Sequence, residues 1–311
     1  MTDFQVVDAK REKIPLKIGL AGVSGSGKTY SSLLMARGLT DSWGKIGVVD
    51  CENNSAALYS DLPSKYLPDG TVFKTLSGGL KPPYSPEMFI KAISFWERQP
   101  IDVLIIDTGS KEWEGEGGVL EQVDRINANS KFQLTGWKEL TPEHNKFIEK
   151  IVNSPLHIIV TLRSRTEYSI ENEKGKTRIR KVGMRPVQRE GFEYELTLFM
   201  SISSDHYAVA EKDRTSLFTD VRPFVITPDH GKMLLDWSNS GAEVDREVYY
   251  SGTPQEKARL WKLIQELGIK DQNESIQIAE LIAQSRVPMS EFEAIATELI
   301  TDFKKARLNE G

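Results

Sequence analysis

The residues best equipped for chemistry are Gly22-Val23-Ser24-Gly25-Ser26-Gly27-Lys28-Thr29, which match G-x-x-x-x-G-K-[ST]. Glycines let the backbone wrap closely around phosphate oxygens, so that several amide hydrogens converge on an anion. A helix starting at the lysine adds its positive end. Lys28 supplies a point charge for β- and γ-phosphates, and Thr29 a hydroxyl for Mg²⁺. The expected ligand is therefore Mg-ATP or a close relative. Gly22, Ser24, Gly25, Ser26, Gly27, Lys28, Thr29 and Tyr30 are the expected contacts.

Two carboxylates complete this chemistry. Asp107 ends the apolar run VLIID, where an acidic residue can hold Mg²⁺ together with Thr29. Glu52 follows VVDC. If both runs are strands of one open sheet, their carboxyl ends share a crevice. Glu52 can then orient and deprotonate an attacking water.

The surrounding pattern supplies such a sheet. Leu16–Ala21, Lys45–Asp50, Asp102–Asp107 and Leu156–Leu162 read as buried strands. Helices are expected at 28–39, at 85–99 with Ser85 as cap, and at 141–152 with Thr141 as cap. This alternation predicts an α/β fold with a mostly parallel central sheet covered on both faces. Shorter strands over 195–203, 206–210 and 223–227 finish the sheet. Residues 1–15 read as a loose polar arm, 16–238 as the core domain and 239–252 as a linker. Residues 253–311 read as a three-helix domain with helices near 254–267, 273–285 and 291–307.

Composition bounds the functional classes. Of 311 residues, 39% are hydrophobic and 27% charged, as in an ordinary globular protein, and the net charge of -5 confines any nucleic-acid contact to a local patch. A single cysteine, Cys51, suits a reducing cytoplasm. No apolar run approaches a membrane span. A cytoplasmic protein without membrane contact is expected, in the host cytoplasm if the chain is phage-encoded.

The local basic patch is residues 163–190, which read as a projecting hairpin or loop. It carries Arg163, Arg165, Lys174, Lys176, Arg178, Arg180, Lys181, Arg185 and Arg189 against four glutamates. With Tyr168 and Met184 available to meet bases, it is equipped to track a single DNA strand. Mutually paired charges on a solvated hairpin are the plainer alternative. A second candidate loop, 108–137, is rich in glycine but carries Glu112, Glu114, Glu116 and Glu121, which argue against phosphate contact; one of them could join the metal shell. His144 reads as structural.

VVDCENNSAALY resembles the stretch after the second strand of RecA/RadA-type recombinase ATPases, where an Asp-x-Glu places the catalytic glutamate. That match implies Glu52 as general base. YAVAEKDR (207–214) is similar to the element by which those proteins reach a neighbouring subunit's nucleotide, which implies Lys212 and Arg214 as fingers acting in trans. SKEWEGEGGVLE, TPEHNKF, TLRSRTEY and KVGMRPVQREGFEYE resemble phage-encoded RecA-like AAA family ATPases over residues 14–238. Some relatives of that kind are core-only recombinases that promote single-strand annealing.

The resemblance implies a RecA-like ATPase that binds single-stranded DNA and assembles into a filament or ring. The C-terminal helices are expected to dock a replication or single-strand-binding protein, or to serve self-assembly. A helicase loader or nucleotide-gated adaptor is the second reading, and a small-molecule kinase the third. One departure is that TLRSR, with Thr161 and Arg163, stands where RecA proteins carry Asn or Gln after the fourth strand.

Overall fold

The computed structural model describes the backbone of residues 8–242 except 131, 133, 174 and 175. It also describes residues 252–308 except 253, 270, 286, 288, 290 and 291. Side chains are described over the same ranges apart from 167–182, 254, 284 and 306–308. The chain divides into two compact units, residues 1–242 and 243–311.

In the first unit, the core strands are β1 (Lys17–Gly22), β2 (Ile46–Asp50), β3 (Lys74–Thr75), β4 (Val103–Asp107), β5 (His157–Glu173), β6 (Lys176–Pro186), β7 (Leu198–Ile202) and β8 (Ala208–Asp213). The sheet order is β3-β2-β4-β5-β1-β7-β8, parallel except for β8, with β6 paired antiparallel to the outer part of β5. The phosphate-loop strand β1 and the Asp107 strand β4 are thus separated by β5. The expected mostly parallel α/β core is present.

Both faces of this sheet are apolar, as covered parallel strands require. Ile18, Leu20, Val103, Ile105 and Ile159 face one core with α1 (Lys28–Gly38) and α8 (Pro228–Asn239). Leu104, Ile106, Ile158, Val160 and Leu162 face the other, with α3 (Pro86–Trp96) and α6 (Thr135–Val152). The two-residue period of a strand alone divides the set. Helices α1 and α8 cross at Gly38 and Gly231, where an added Cβ would lie 1.9 Å from the Pro228 carbonyl and 2.1 Å from that of Met35.

Several boundaries differ from the sequence expectations. Helix α6 starts six residues before Thr141 and carries Pro142 inside it, its early turns packing Gly136 and Leu140. The glycine-rich stretch 108–137 is mostly helical, as α4 (Ser110–Glu114) and α5 (Val119–Ala128), whose apolar face packs on α6. Short elements α2 (Leu62–Lys65) and α7 (Phe192–Glu195) were also unforeseen. Residues 223–227 form only one bridge, Phe224 to Ala208, before Thr227 and His230 box the start of α8.

The described part of the N-terminal arm is tied down at residues 11–13. Glu12 bridges Ala242 in parallel, the Lys13 amide donates to the Ala242 carbonyl at 2.8 Å, and Arg11 lies over the Trp237 ring. The linker's residues 243–251 lie outside the described residues.

The second unit contains α9 (Pro254–Glu266), α10 (Gln272–Gln284) and α11 (Phe292–Leu308). Gly268 ends α9 with φ of 80°, a left-handed stop that suits glycine. Leu260, Ile264, Ile278, Ile282, Phe292, Ala296 and Ile300 form its core. Trp261 and Ile276 on the same helices are 38% and 44% exposed.

Candidate functional site

Between β1 and α1 the chain turns through Gly25 (φ 79°) and Gly27 (φ 88°), both left-handed, which fixes why these positions are glycine. Val23 to Gly27 thereby curl around the start of α1. The Lys28 ammonium folds back and donates to the Val23 carbonyl at 2.8 Å. Burial pushes its pKa down, with Asp107 and Glu52 partly offsetting this. A desolvated cation of this kind gains from a polyanion placed beside it.

Asp107, at the end of β4, is 1% exposed. It accepts from the Thr29 hydroxyl at 2.6 Å and from the Thr161 hydroxyl at 2.5 Å. Burial drives its pKa up, the two hydroxyls opposing. The Thr29–Asp107 pair is chemically suited to Mg²⁺, which takes one or two protein oxygens and completes its shell with phosphate and water. A cation here would also relieve the cost of a buried carboxylate.

The second carboxylate arm is built from β2. Asp50 is fully buried, and its two oxygens accept from the amides of Glu52 (2.6 Å) and Ala56 (2.7 Å). That turn throws the Glu52 side chain over the end of β4, the strand paired with β2 through Asp50↔Asp107. Arg163 donates to Glu52 Oε1 from Nε at 3.0 Å and from Nη2 at 2.5 Å. Arg165 pairs with Glu114 at the end of α4, and Arg163 Nη1 lies 3.9 Å from the same carboxylate. Both arginines stand where β5 leaves the sheet and becomes the hairpin with β6.

Lys28, Thr29, Glu52, Glu114, Arg163 and Arg165 line one cavity of about 950 Å³, ample for a nucleoside triphosphate. Its phosphate end holds Ser24, Gly25, Gly27, Lys28 and Thr29, and its walls hold Glu52, Glu114, Arg163 and Arg165. Tyr30, Leu58, Tyr59 and Val225 add an apolar and aromatic stretch suited to a base. His206 joins them from the turn after β7.

The expected site residues therefore divide. Gly22, Ser24, Gly25, Ser26, Gly27, Lys28, Thr29, Tyr30, Asp107 and Glu52 come together at the carboxyl ends of β1, β2 and β4. Arg163 and Arg165, expected on DNA, line the same cavity in ion pairs. Arg185 pairs with Glu190 at 2.9 Å. Lys176, Arg178, Arg180 and Lys181 lie on β6 with side chains outside the described set, and Lys174 lies outside the described residues.

Lys212 and Arg214 are at the opposite end of the sheet, because β8 runs back antiparallel to β7 with Lys212 beside Phe199. Lys212 donates to the Glu193, Tyr194 and Leu196 carbonyls, and Arg214 to that of Tyr194 at 2.9 Å. Neither lines its own chain's cavity.

Sequence reasoning missed Tyr59 and His206 and did not single out Glu114. Tyr59 sits seven residues after Glu52, inside the same VVDCENNSAALY stretch, and its spacing was the available signal. Glu114 was one of four equivalent carboxylates until α4 placed it. Glu112 instead is fully buried, hydrogen-bonded to His144 Nδ1 at 2.9 Å and to Gln188, so it serves the core; His144 is structural as expected. Among the described residues no cluster of three or more His, Cys, Asp or Glu could hold a metal on its own.

Comparison with known proteins adds a family. No curated protein matches. Among solved structures, the KaiC-like protein PH0186 from the hyperthermophilic archaeon Pyrococcus horikoshii OT3 is similar at 16% identity and a TM-score of 0.37, over 70% of this chain and 88% of that one. The family model described as AAA domain matches residues 14–234, the stretch holding the phosphate loop, Glu52, Asp107 and the arginine pair. By that match the chain belongs to the AAA-domain family of P-loop ATPases.

Proposed function

We propose that this ATPase hydrolyses Mg-ATP at contacts between copies of itself and couples hydrolysis to single-stranded DNA held on the β5–β6 hairpin. The setting would be phage DNA recombination or replication, by strand annealing or pairing. One observation carries the reading. The two root arginines of the hairpin, Arg163 and Arg165, grip the two glutamates of the nucleotide cavity. A ligand that re-seats the hairpin therefore changes the hold on Glu52.

The chain's own groups then act as follows. The loop amides and Lys28 hold the β- and γ-phosphates, Lys28 exchanging the Val23 carbonyl for phosphate oxygen. Thr29 and Asp107 would hold Mg²⁺, which neutralises charge on the transferred phosphoryl group. Glu52, released from Arg163, accepts a proton from the attacking water. Freed Arg163 is then available to the γ-phosphate. Lys212 and Arg214 lie too far round the sheet to serve their own nucleotide, which supports a role on a neighbouring copy.

The test is ATP hydrolysis by the full chain with and without single-stranded DNA, at two salt concentrations. Stimulation that fades steeply with salt is expected. Hydrolysis indifferent to every nucleic acid refutes the coupling. Turnover by a monomer unaffected by Lys212→Ala with Arg214→Ala refutes the shared site.

A nucleotide-gated adaptor or helicase loader is the second reading. It is favoured by the exposed Trp261, beside a cavity of about 450 Å³ with Ile269 and Gln272 in the C-terminal unit. Loss of a replication partner with DNA binding intact, on removing residues 252–311, would favour it.

A further inference from the structure

The turn joining β7 to β8 docks on the phosphate loop through one side chain. Gly22 is paired with Ile202, so β7 ends directly beside the loop. Three hydrogen bonds set the turn beyond it: Ser203 N to the Tyr207 carbonyl (2.9 Å), His206 N to the Ser203 carbonyl (3.0 Å) and Tyr207 N to Ser203 Oγ (3.2 Å). His206 takes φ of 69° there, a left-handed conformation unusual for a residue with a side chain. Such departures concentrate where a side chain must be aimed.

His206 Nδ1 lies 3.0 Å from the Ser26 carbonyl. A carbonyl only accepts, so Nδ1 carries the hydrogen. The ring passes close to Gly27, where an added Cβ would stand 3.2 Å from Nδ1.

The consequence comes from peptide geometry. In a trans peptide the C=O and the next N–H point in opposite directions. Holding the Ser26 carbonyl against His206 aims the Gly27 amide the opposite way, leaving it for a phosphate seated in the loop. That amide donates to no atom among the described residues.

We infer that His206 is a positioning residue for the phosphate nest, its Nδ1–H fixing the Ser26–Gly27 peptide so that the Gly27 amide is presented to nucleotide phosphate. The claim rests on the reading that this cavity binds nucleoside triphosphate. Its loss leaves Lys28, Asp107 and Glu52 in place but makes the nest pay for its own ordering each time phosphate binds.

The test compares three variants of the full chain by MgATP titration calorimetry and steady-state hydrolysis. His206→Gly deletes the donor while suiting the left-handed backbone. His206→Asn restores a donor near the Nδ1 position and tolerates that backbone. His206→Gln places an amide near the Nε2 position instead.

The expected result is a KM and Kd for MgATP raised about tenfold in His206→Gly, the size of one lost hydrogen bond to an anion-binding loop. Its kcat should stay within about twofold of the parent, again as one interaction removed from binding alone. His206→Asn should recover most of the affinity and His206→Gln should not.

Rescue by Gln and not Asn overturns the inference in favour of a direct ring-to-nucleotide contact. So does a His206→Gly protein with unchanged KM and Kd. A uniform loss of kcat and melting temperature in all three variants overturns it in favour of a structural role. If the parent chain itself binds no MgATP, the failure belongs to the nucleotide reading rather than to His206.

Discussion

The two ends of the central sheet use the same kinds of side chain to opposite purposes. At the amino ends of the strands, Lys17 is 4% exposed and gives its ammonium to the Ser154 and Leu156 carbonyls at 2.7 and 2.6 Å. His157 accepts the Leu16 amide at 3.0 Å, and Asp102 accepts from the Thr40 hydroxyl at 2.6 Å. At the carboxyl ends, Lys28, Glu52 and Arg163 border open space, with Asp107 buried against the Thr29 hydroxyl. The first set is committed to the protein's own polar groups and stabilises the fold. The second is held by partners that a ligand can replace, which costs stability and prepares function.

That contrast is open to direct attack. Lys28→Ala should reduce ATP hydrolysis about a thousandfold or more, since it removes the main cation from the phosphate site. Its thermal unfolding in the absence of nucleotide should stay put or rise, as a desolvated charge is gone. A marked fall in melting temperature would place Lys28 with the structural set.

Glu52→Gln should lower turnover by about a hundredfold or more while MgATP binding, read by calorimetry, is retained. Normal turnover would remove Glu52 as the base. Because Arg163 loses a charged partner in the same variant, the DNA dependence of any residual rate should weaken as well.

At the other end, Lys17→Met should cost about 2–4 kcal/mol in denaturant unfolding, because two buried carbonyls lose their donor. Turnover per folded molecule should be unchanged. A variant with parental stability and impaired hydrolysis would invert the comparison.

His157 gives the gentlest probe. Burial depresses its pKa from 6.5 to about 4. The unfolded chain therefore binds the proton more readily than the folded one between those values. The stabilisation is fully present above pH 6.5 and is lost as pH falls toward 4, up to about 3 kcal/mol. His157→Asn, which keeps an acceptor for the Leu16 amide but cannot titrate, should flatten that part of the stability profile. An unchanged slope would assign the acid sensitivity elsewhere.

Legibility in the sequence followed locality. The phosphate loop and its flanking strand and helix were readable because their chemistry and geometry lie within a single stretch, Leu16 to Leu39. Asp107 and Glu52 were readable as strand-end carboxylates, and their convergence followed from one shared sheet. The Arg163–Glu52 pair spans 111 positions and depends on β5 lying beside β4, which composition does not encode. His206 depended on register, Gly22 opposite Ile202, plus a left-handed turn at a residue that is not glycine. The stretch 108–137 misled for a simpler reason. Its glycines flank short helices, Gly109 and Gly115 on either side of α4 and Gly118 before α5, where composition alone suggested a loop.

The pairing of Glu12 with Ala242 also has a mechanical meaning. The two segments run parallel at this bridge. Tension applied between the chain before residue 11 and the chain after residue 242 would pull them in opposite directions along their length. The load then falls in shear on the Lys13-to-Ala242 and Ala242-to-Arg11 hydrogen bonds, each 2.8 Å. It closes across the Arg11–Trp237 contact without passing through β1 or the loop above it. Under such a load the seam would act as a strain relief, as a clamp on a cable spares the connector.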